Sequence, residues 1–324
     1  MDSKNKTIVV TGVAGYIGGQ IALQLKDAGH TVIGIDRRPL QAHQTGVVNS
    51  FVQADFDSDE FFQKLLDVRP TAIVHCAGTS LVGPSIRYPS DYYTNNVVKT
   101  LHLLDFIVQA LPKTRFVFSS SASVYGTPYM TPCHEVDPCE PISPYGESKL
   151  IIEMMLKAYH QAYNLDYVAF RYFNACGADS QARHGQEPGA THIIARVLES
   201  LRDSTEFVLN GTDYETEDGT CVRDYVHVED IAQAHLLALT AQVPSDIYNL
   251  GSSQGTSNAE IVKAAMNITG KKLTFTTGDR RIGDPAVLTA SADKFTQVAG
   301  TWRKYDINDI IAHAWQWYYQ PIVD

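Results

Sequence analysis

Tyr145 and Lys149, in the run Tyr145-Gly146-Glu147-Ser148-Lys149, stand four residues apart, which puts a phenol and an ammonium on one face of a helix. A phenol with an unperturbed pKa near ~10 is a poor base at neutral pH, and a neighbouring cation favours the phenolate. The pair therefore reads as a general base with its tuning group. The plain alternative is a surface tyrosine and lysine one turn apart. A second group, Phe118-Ser119-Ser120-Ser121-Ala122-Ser123-Val124-Tyr125-Gly126, sets serine hydroxyls at the end of an expected strand, where open α/β sheets place their ligands. Such hydroxyls can donate to, and accept from, a substrate hydroxyl that becomes a carbonyl. No Gly-x-Ser-x-Gly elbow is present, which argues against nucleophilic serine chemistry.

A third motif, Thr11-Gly12-Val13-Ala14-Gly15-Tyr16-Ile17-Gly18, runs from strand through glycine-rich turn to helix. Gly12, Gly15 and Gly18 let the chain turn tightly and approach a pyrophosphate, whose charge rests on the helix start at Tyr16 and Ile17. Asp36 closes the next strand 24 residues after Gly12, close to the ~20 at which a carboxylate takes the ribose hydroxyls of a dinucleotide. That carboxylate repels a 2′-phosphate and so favours NAD over NADP, while Arg37 and Arg38 just beyond it leave room for the phosphorylated form.

These groups need a scaffold, and the hydrophobic pattern supplies one. Apolar runs at 7–11, 31–36, 50–54, 72–76, 115–119 and 167–172 alternate with helical patterns at 16–28, 58–68, 90–111 and 144–163. This is the rhythm of βαβ units around a doubly wound, Rossmann-like parallel sheet. From about Asn174 the pattern becomes turn-rich, and a smaller α/β lobe is expected over 174–324. The first domain then covers 1–173, with a return segment near 222–250 that includes a buried strand at 246–250; 309–319 reads as a closing amphipathic helix.

The 324 residues carry 26 basic and 36 acidic side chains, net −10, which speaks against a phosphate-tracking nucleic-acid binder or a lipid-surface binder. No apolar run approaches the ~18–20 residues of a membrane span. No leader is expected ahead of the first strand, and the five scattered cysteines suit a reducing compartment, so a cytoplasmic address is the expectation. Cys133 and Cys139 around His134, with five residues between the thiols and no second pair, make a poor zinc site, and no metal is expected.

Taken with His75-Cys76-Ala77-Gly78, Tyr92-Tyr93-Thr94-Asn95-Asn96, Arg171-Tyr172-Phe173-Asn174, Gly211-Thr212-Asp213-Tyr214, Asp218-Gly219-Thr220-Cys221-Val222-Arg223-Asp224-Tyr225 and Arg280-Arg281-Ile282-Gly283-Asp284-Pro285-Ala286, these motifs carry a resemblance over nearly the whole chain. The sequence resembles the extended short-chain dehydrogenase/reductases, and within them the UDP-glucose 4-epimerase family. The resemblance implies that NAD takes a hydride from C4 of a UDP-hexose and returns it to the other face of a 4-keto sugar. It implies Tyr145 as base at O4, Ser121 as hydrogen-bond partner of O4, and Lys149 on the cofactor ribose. It extends the cofactor set to Asp55, Phe56, Cys76, Ala77, Gly78, Asn95 and Phe173. It gives Asn174, Arg223 and Arg281 to the UDP phosphates, Asp284 to the uridine ribose, and places His192 and Val208 beside the uracil. It also implies a homodimer through the helices at 90–111 and 144–163.

Departures from the family pattern carry expectations of their own. Asn210 stands where a uracil-facing Phe is usual, which puts base stacking in doubt. Leu288 occupies the position that sets the width of the sugar pocket and, smaller than Tyr yet branched, favours UDP-glucose and UDP-galactose over N-acetylated sugars. UDP-N-acetylhexosamine or UDP-pentose epimerisation is the alternative within the family. A dehydratase needs an acid and a base after the strand-end hydroxyls, where this chain has Ala122 and Ser123. A non-catalytic NAD-binding regulator has no need of a tuned phenol.

Overall fold

The computed structural model describes residues 5–240, 242–280 and 284–319. Strands β1 (Thr7–Thr11), β2 (Thr31–Asp36), β3 (Ser50–Gln53), β4 (Ala72–His75), β5 (Arg115–Ser121) and β6 (Tyr167–Tyr172) open the chain. They are followed by β7 (Asn174–Cys176), β8 (Phe207–Asn210), β9 (Val222–His227), β10 (Asp246–Leu250), β11 (Gly255–Ser257), β12 (Phe275–Gly278) and β13 (Val287–Leu288). Seven of them form one parallel sheet in the order β10-β6-β5-β4-β1-β2-β3. Because side chains alternate across a strand, Ile8 and Val10 pack into one hydrophobic core and Val9 into another on the opposite face. Both faces are therefore covered, as an all-parallel sheet requires. The strand order reverses between β1 and β4, which opens a crevice at their carboxyl ends.

The remaining strands make smaller sheets. β9 pairs with β7, β11 and β13, and β8 pairs with β12. The helices Ile193–Asp203, Asn258–Thr269 and Ile307–Tyr318 bury their apolar sides together beside them. Strand β9 thus belongs to the small sheet. The chain returns to the large one afterwards, through a helix at Val228–Thr240 that packs on Tyr16–Asp27 and then through β10 at the sheet edge. Phe295 and Trp302 also return, packing with Phe170 and Tyr248 beneath the large sheet.

One expected helix differs in kind. The stretch at 90–111 resolves into Pro89–Tyr92, a wide π-helical segment Tyr93–Val98, and Lys99–Ala110. The wider turn serves the site: Asn96 Oδ1 accepts from Thr79 N at 2.7 Å while its Nδ2 donates to Ser148 Oγ at 3.0 Å. That single amide ties the end of β4 to the helix Pro144–Tyr163, on which Tyr145 and Lys149 stand.

Candidate active site

A cleft of about 500 Å³ lies over the strand-order reversal. Its floor is the glycine turn. Gly12 has φ +73° and lies so close to β4 that a β-carbon would come within 2.6 Å of Ala77 N, so no larger residue fits. Gly15 caps the helix Tyr16–Asp27 without a side chain, leaving the first-turn N–H groups and the positive end of the helix dipole facing the cleft. At the end of β2, Asp36 accepts from Ala14 N at 3.0 Å and Arg38 N at 2.9 Å, with the Arg38 guanidinium 3.7 Å away.

Of the expected cofactor residues, Gly12, Gly15, Tyr16, Ile17, Gly18, Asp36, Asp55, Phe56, Cys76, Ala77, Gly78, Asn95, Tyr145 and Lys149 all line this cleft. Phe173 does not. Its ring is buried with Ala122, Val124, Tyr125 and Cys133, and its neighbour Tyr172 supplies the wall instead. Thr79, Ser80, Ser119 and Gln186 line it as well. Ser119 belongs to the serine run, Thr79 and Ser80 follow directly on the His75–Gly78 motif, and Gln186 carries no local signal.

The reacting groups meet at the inner end. Ser143 caps the helix Pro144–Tyr163, its Oγ accepting from Gly146 N at 3.2 Å, so Tyr145 sits in the positive first turn. Tyr145 is half-buried in the cleft wall, with its phenol on the Ser121 side. Desolvation of the phenol pushes its pKa up, the Ser121 hydroxyl opposes that, and Tyr92 adds to the rise. The expected lowering by Lys149 is absent from these influences: the ammonium lies 5.8 Å from the Tyr145 ring centre and donates to Ser119 O at 2.8 Å. Burial brings Lys149 itself down to about 8, against the pull of Cys76 and Glu153. Glu153, one turn on, is locked in a buried pair with Arg171 at 2.7 Å and accepts from Ser120 Oγ at 2.6 Å.

A second, smaller hollow of about 170 Å³ lies in the other lobe. Asn174, His192, Val208, Asn210, Arg223 and Asp284 line it, joined by Tyr225, which ends the Asp218–Tyr225 motif, and by Arg196 and Asn258, which no motif contains. Arg223 and Asp224 do not pair with each other, because successive residues of β9 face opposite ways. Asp224 is buried and accepts from Ser253 N at 3.0 Å and Ala290 N at 3.1 Å. Arg223 turns into the hollow, 3.5 Å from Asp284 Oδ1, and its Nη2 is buried without a hydrogen bond. An orphaned guanidinium N–H is what a phosphate oxygen would satisfy. Leu288 lines neither cavity; it pairs in register with Arg223 and packs against the small cluster of Ala122, Val124, Tyr125, Cys133, Phe173 and Ala290. Arg281 lies outside the described residues.

Among the described residues no helix is long and apolar enough to cross a membrane. The model of the NAD dependent epimerase/dehydratase family matches residues 8–251. A UDP-glucose 4-epimerase of Halalkalibacterium halodurans is 39% identical over 320 residues, 96% of this chain and 95% of that protein. The crystal structure of UDP-glucose 4-epimerase from Brucella ovis in complex with NAD is 36% identical with a TM-score of 0.91, covering 96% of this chain and 98% of that one. That of UDP-glucose 4-epimerase from Bifidobacterium longum in complex with NAD+ and UDP is 30% identical with a TM-score of 0.88, covering 96% and 97%. On the sheet, the glycine-floored cleft and these likenesses together, the chain belongs to the NAD dependent epimerase/dehydratase family.

Proposed function

We propose that the protein is an NAD-dependent epimerase that inverts C4 of a UDP-hexose, interconverting UDP-galactose and UDP-glucose through a 4-keto sugar. The observation that carries this reading is the Tyr145 phenol in the wall of the cleft beside Lys149, with the Arg223 Nη2 that lacks a hydrogen bond in the facing lobe. The donor set of the cleft suits a dinucleotide: an uncapped helix start for the pyrophosphate, Asp36 for ribose hydroxyls, and Lys149 for the second ribose. NAD bound there supplies a hydride acceptor beside C4 and, later, the same hydride to the opposite face.

The chain's own residues do the rest. Tyr145 takes the proton from O4 as the carbonyl forms and gives it back when the carbonyl is reduced. Ser121 holds O4 in line with the phenol. The helix N-terminus favours phenolate against the burial that raises its pKa. Residues 1–173, backed by the returning segment 228–250 and joined by Gln186, hold the cofactor, and the remainder of 174–324, with β9, holds the UDP-sugar. Asn174, Arg223 and Arg281 bind the phosphates; Asp284 takes the uridine ribose, and His192 and Val208 flank the base. Asn210 puts an amide where an aromatic ring would stack. Exposed Val98, at the end of the segment Tyr93–Val98, with Leu101 and Met154 on the helices Lys99–Ala110 and Pro144–Tyr163, supports a homodimer. The five free cysteines suit the cytoplasm.

Incubation of the purified protein with UDP-galactose, followed by NMR, should show UDP-glucose forming with no net consumption of NAD. Absence of C4 inversion for UDP-galactose, UDP-N-acetylgalactosamine and UDP-xylose alike overturns the reading.

A further inference from the structure

The two cavities are linked by one hydrogen bond between side chains. Gln186 lines the cofactor cleft, and its Oε1 is hydrogen-bonded to His192 Nε2, on the wall of the nucleotide hollow. The direction of that bond is fixed by the other ring nitrogen. His192 caps the helix Ile193–Asp203, its Nδ1 accepting from Ala195 N at 3.5 Å, so the proton sits on Nε2 and Gln186 Oε1 must accept it. Burial keeps the ring neutral, bringing its pKa down to about 4. With its carbonyl taken, the part of the Gln186 amide left for the cleft is its pair of N–H donors.

The backbone under Gln186 is pinned on both sides. Trp317 Nε1 donates to Gln186 O at 2.8 Å, and Gly185 lies flat on the same indole, where a β-carbon would come within 2.6 Å of Cγ. His184 Nε2 donates at 2.8 Å to the carbonyl of Tyr16, the first residue of the helix at the glycine turn. The segment is therefore anchored to the cofactor-binding turn, to the closing helix Ile307–Tyr318 and to the nucleotide hollow at once.

We propose that Gln186 is a positioning residue that couples the two ligands: its N–H groups hold the cofactor, and its carbonyl is aimed by His192, so that UDP seated against His192 tightens the grip on NAD. The coupling is reciprocal, since any factor by which UDP strengthens NAD binding is the factor by which NAD strengthens UDP binding. It rests on the cleft taking NAD and the hollow taking UDP, as proposed above. It gives the chain a way to keep its cofactor while the sugar is in its oxidised form.

The test is the rate at which the holoenzyme loses NAD, with and without saturating UDP, in the parent, in Gln186→Ala and in Gln186→Glu. UDP should slow the loss about fivefold or more in the parent. In Gln186→Ala the slowing should disappear while calorimetry still shows UDP binding. Gln186→Glu keeps an acceptor for His192 and the pinned backbone but exchanges the N–H donors for an oxygen, and it should lose the slowing as well. Equal slowing in parent and variants, or none in a parent that binds both ligands, overturns the coupling while leaving the epimerase reading in place. A parent that binds no NAD or no UDP overturns the reading and the coupling together.

Discussion

The cofactor cleft draws its walls from the carboxyl ends of six neighbouring parallel strands, with residues that sit a few positions beyond Thr11, Ile35, Gln53, His75, Phe118 and Arg171. The nucleotide hollow is closed by residues as far apart in the chain as Asn174 and Asp284, brought together by β7, β8, β9 and the start of a helix. In the first region topology does the positioning: any sequence that folds into this sheet delivers its strand ends to one crevice. In the second, position depends on edge pairings between strands of only a few residues, and the ligand's own charge has to complete the arrangement, as the unsatisfied Arg223 nitrogen shows.

The two regions share one vulnerability, and it sets the largest effect expected. His75 and His235 lie buried under the large sheet, His184 beside the glycine turn, His192 at the hollow and His227 at the end of β9. Burial lowers their pKa values to about 3 or 4. Since the unfolded chain protonates near ~6.5 and the folded one does not, stability is complete above that pH and is lost as pH falls toward 4. Asp230, raised by burial to about 6, opposes this by a single proton. Urea midpoints should therefore fall steeply between roughly pH 6.5 and 5, each histidine giving up to about 1.4 kcal/mol per pH unit. A flat profile would show that these rings are not held neutral. A biphasic one would show that the two lobes unfold separately.

Next in size is Tyr145→Phe. It removes the proton acceptor and the Ser121 bond but no phosphate or ribose contact, so kcat on UDP-galactose should drop by roughly 10²- to 10⁴-fold while the purified protein keeps its NAD. Near-normal turnover would dismiss Tyr145 as the base. Loss of the cofactor would show that the cleft is less self-sufficient than its topology implies.

How far the sequence carried each region follows from the same difference. The large sheet was legible because alternating burial on two faces leaves continuous apolar runs, and β1, β2, β6 and β10 fall on their expected bounds. The cleft was legible because glycine, aspartate, tyrosine and lysine at those spacings have few other uses. The Phe173 expectation failed through strand alternation, which points Tyr172 and Phe173 to opposite sides. The tuning of Tyr145 was misjudged because spacing along a helix gives the face but not the burial, and burial dominates. In the hollow, Arg196 and Asn258 carried no local signal, since they reach it from the first turns of two helices whose placement depends on which edges the short strands join.

Arg223→Leu addresses the hollow alone. It removes a charge-assisted hydrogen bond to phosphate, about 1.5–3 kcal/mol, so calorimetry should show UDP binding roughly 10- to 150-fold weaker. NAD content should be unchanged, because Arg223 lines the hollow and not the cleft. If UDP affinity holds, the orphaned nitrogen faces something other than phosphate, and the hollow loses its main argument.

The smallest effect belongs to the seam between the regions. Leu288 stands on β13 in register with Arg223, one strand away, and it packs against the cluster that holds Ala122 and Tyr125, the short helical turn that follows Ser121. A sugar reaching from the hollow to the phenol has to pass this seam, where a branched apolar side chain admits a hydroxyl at C2 more easily than an acetamide. The parent should therefore prefer UDP-galactose and UDP-glucose over their N-acetylated counterparts in kcat/KM, by about 10- to 200-fold, the range of a modest steric misfit. Leu288→Ser shortens the side chain and should narrow that ratio severalfold, chiefly by raising kcat/KM on the N-acetylated pair. Part of the gain would be masked by weaker packing under Ala122, so Leu288→Ala, which frees space without adding a hydroxyl, separates the two effects. If both variants leave the ratio where it was, Leu288 braces the seam without facing the sugar, and selectivity is set on the cleft side instead.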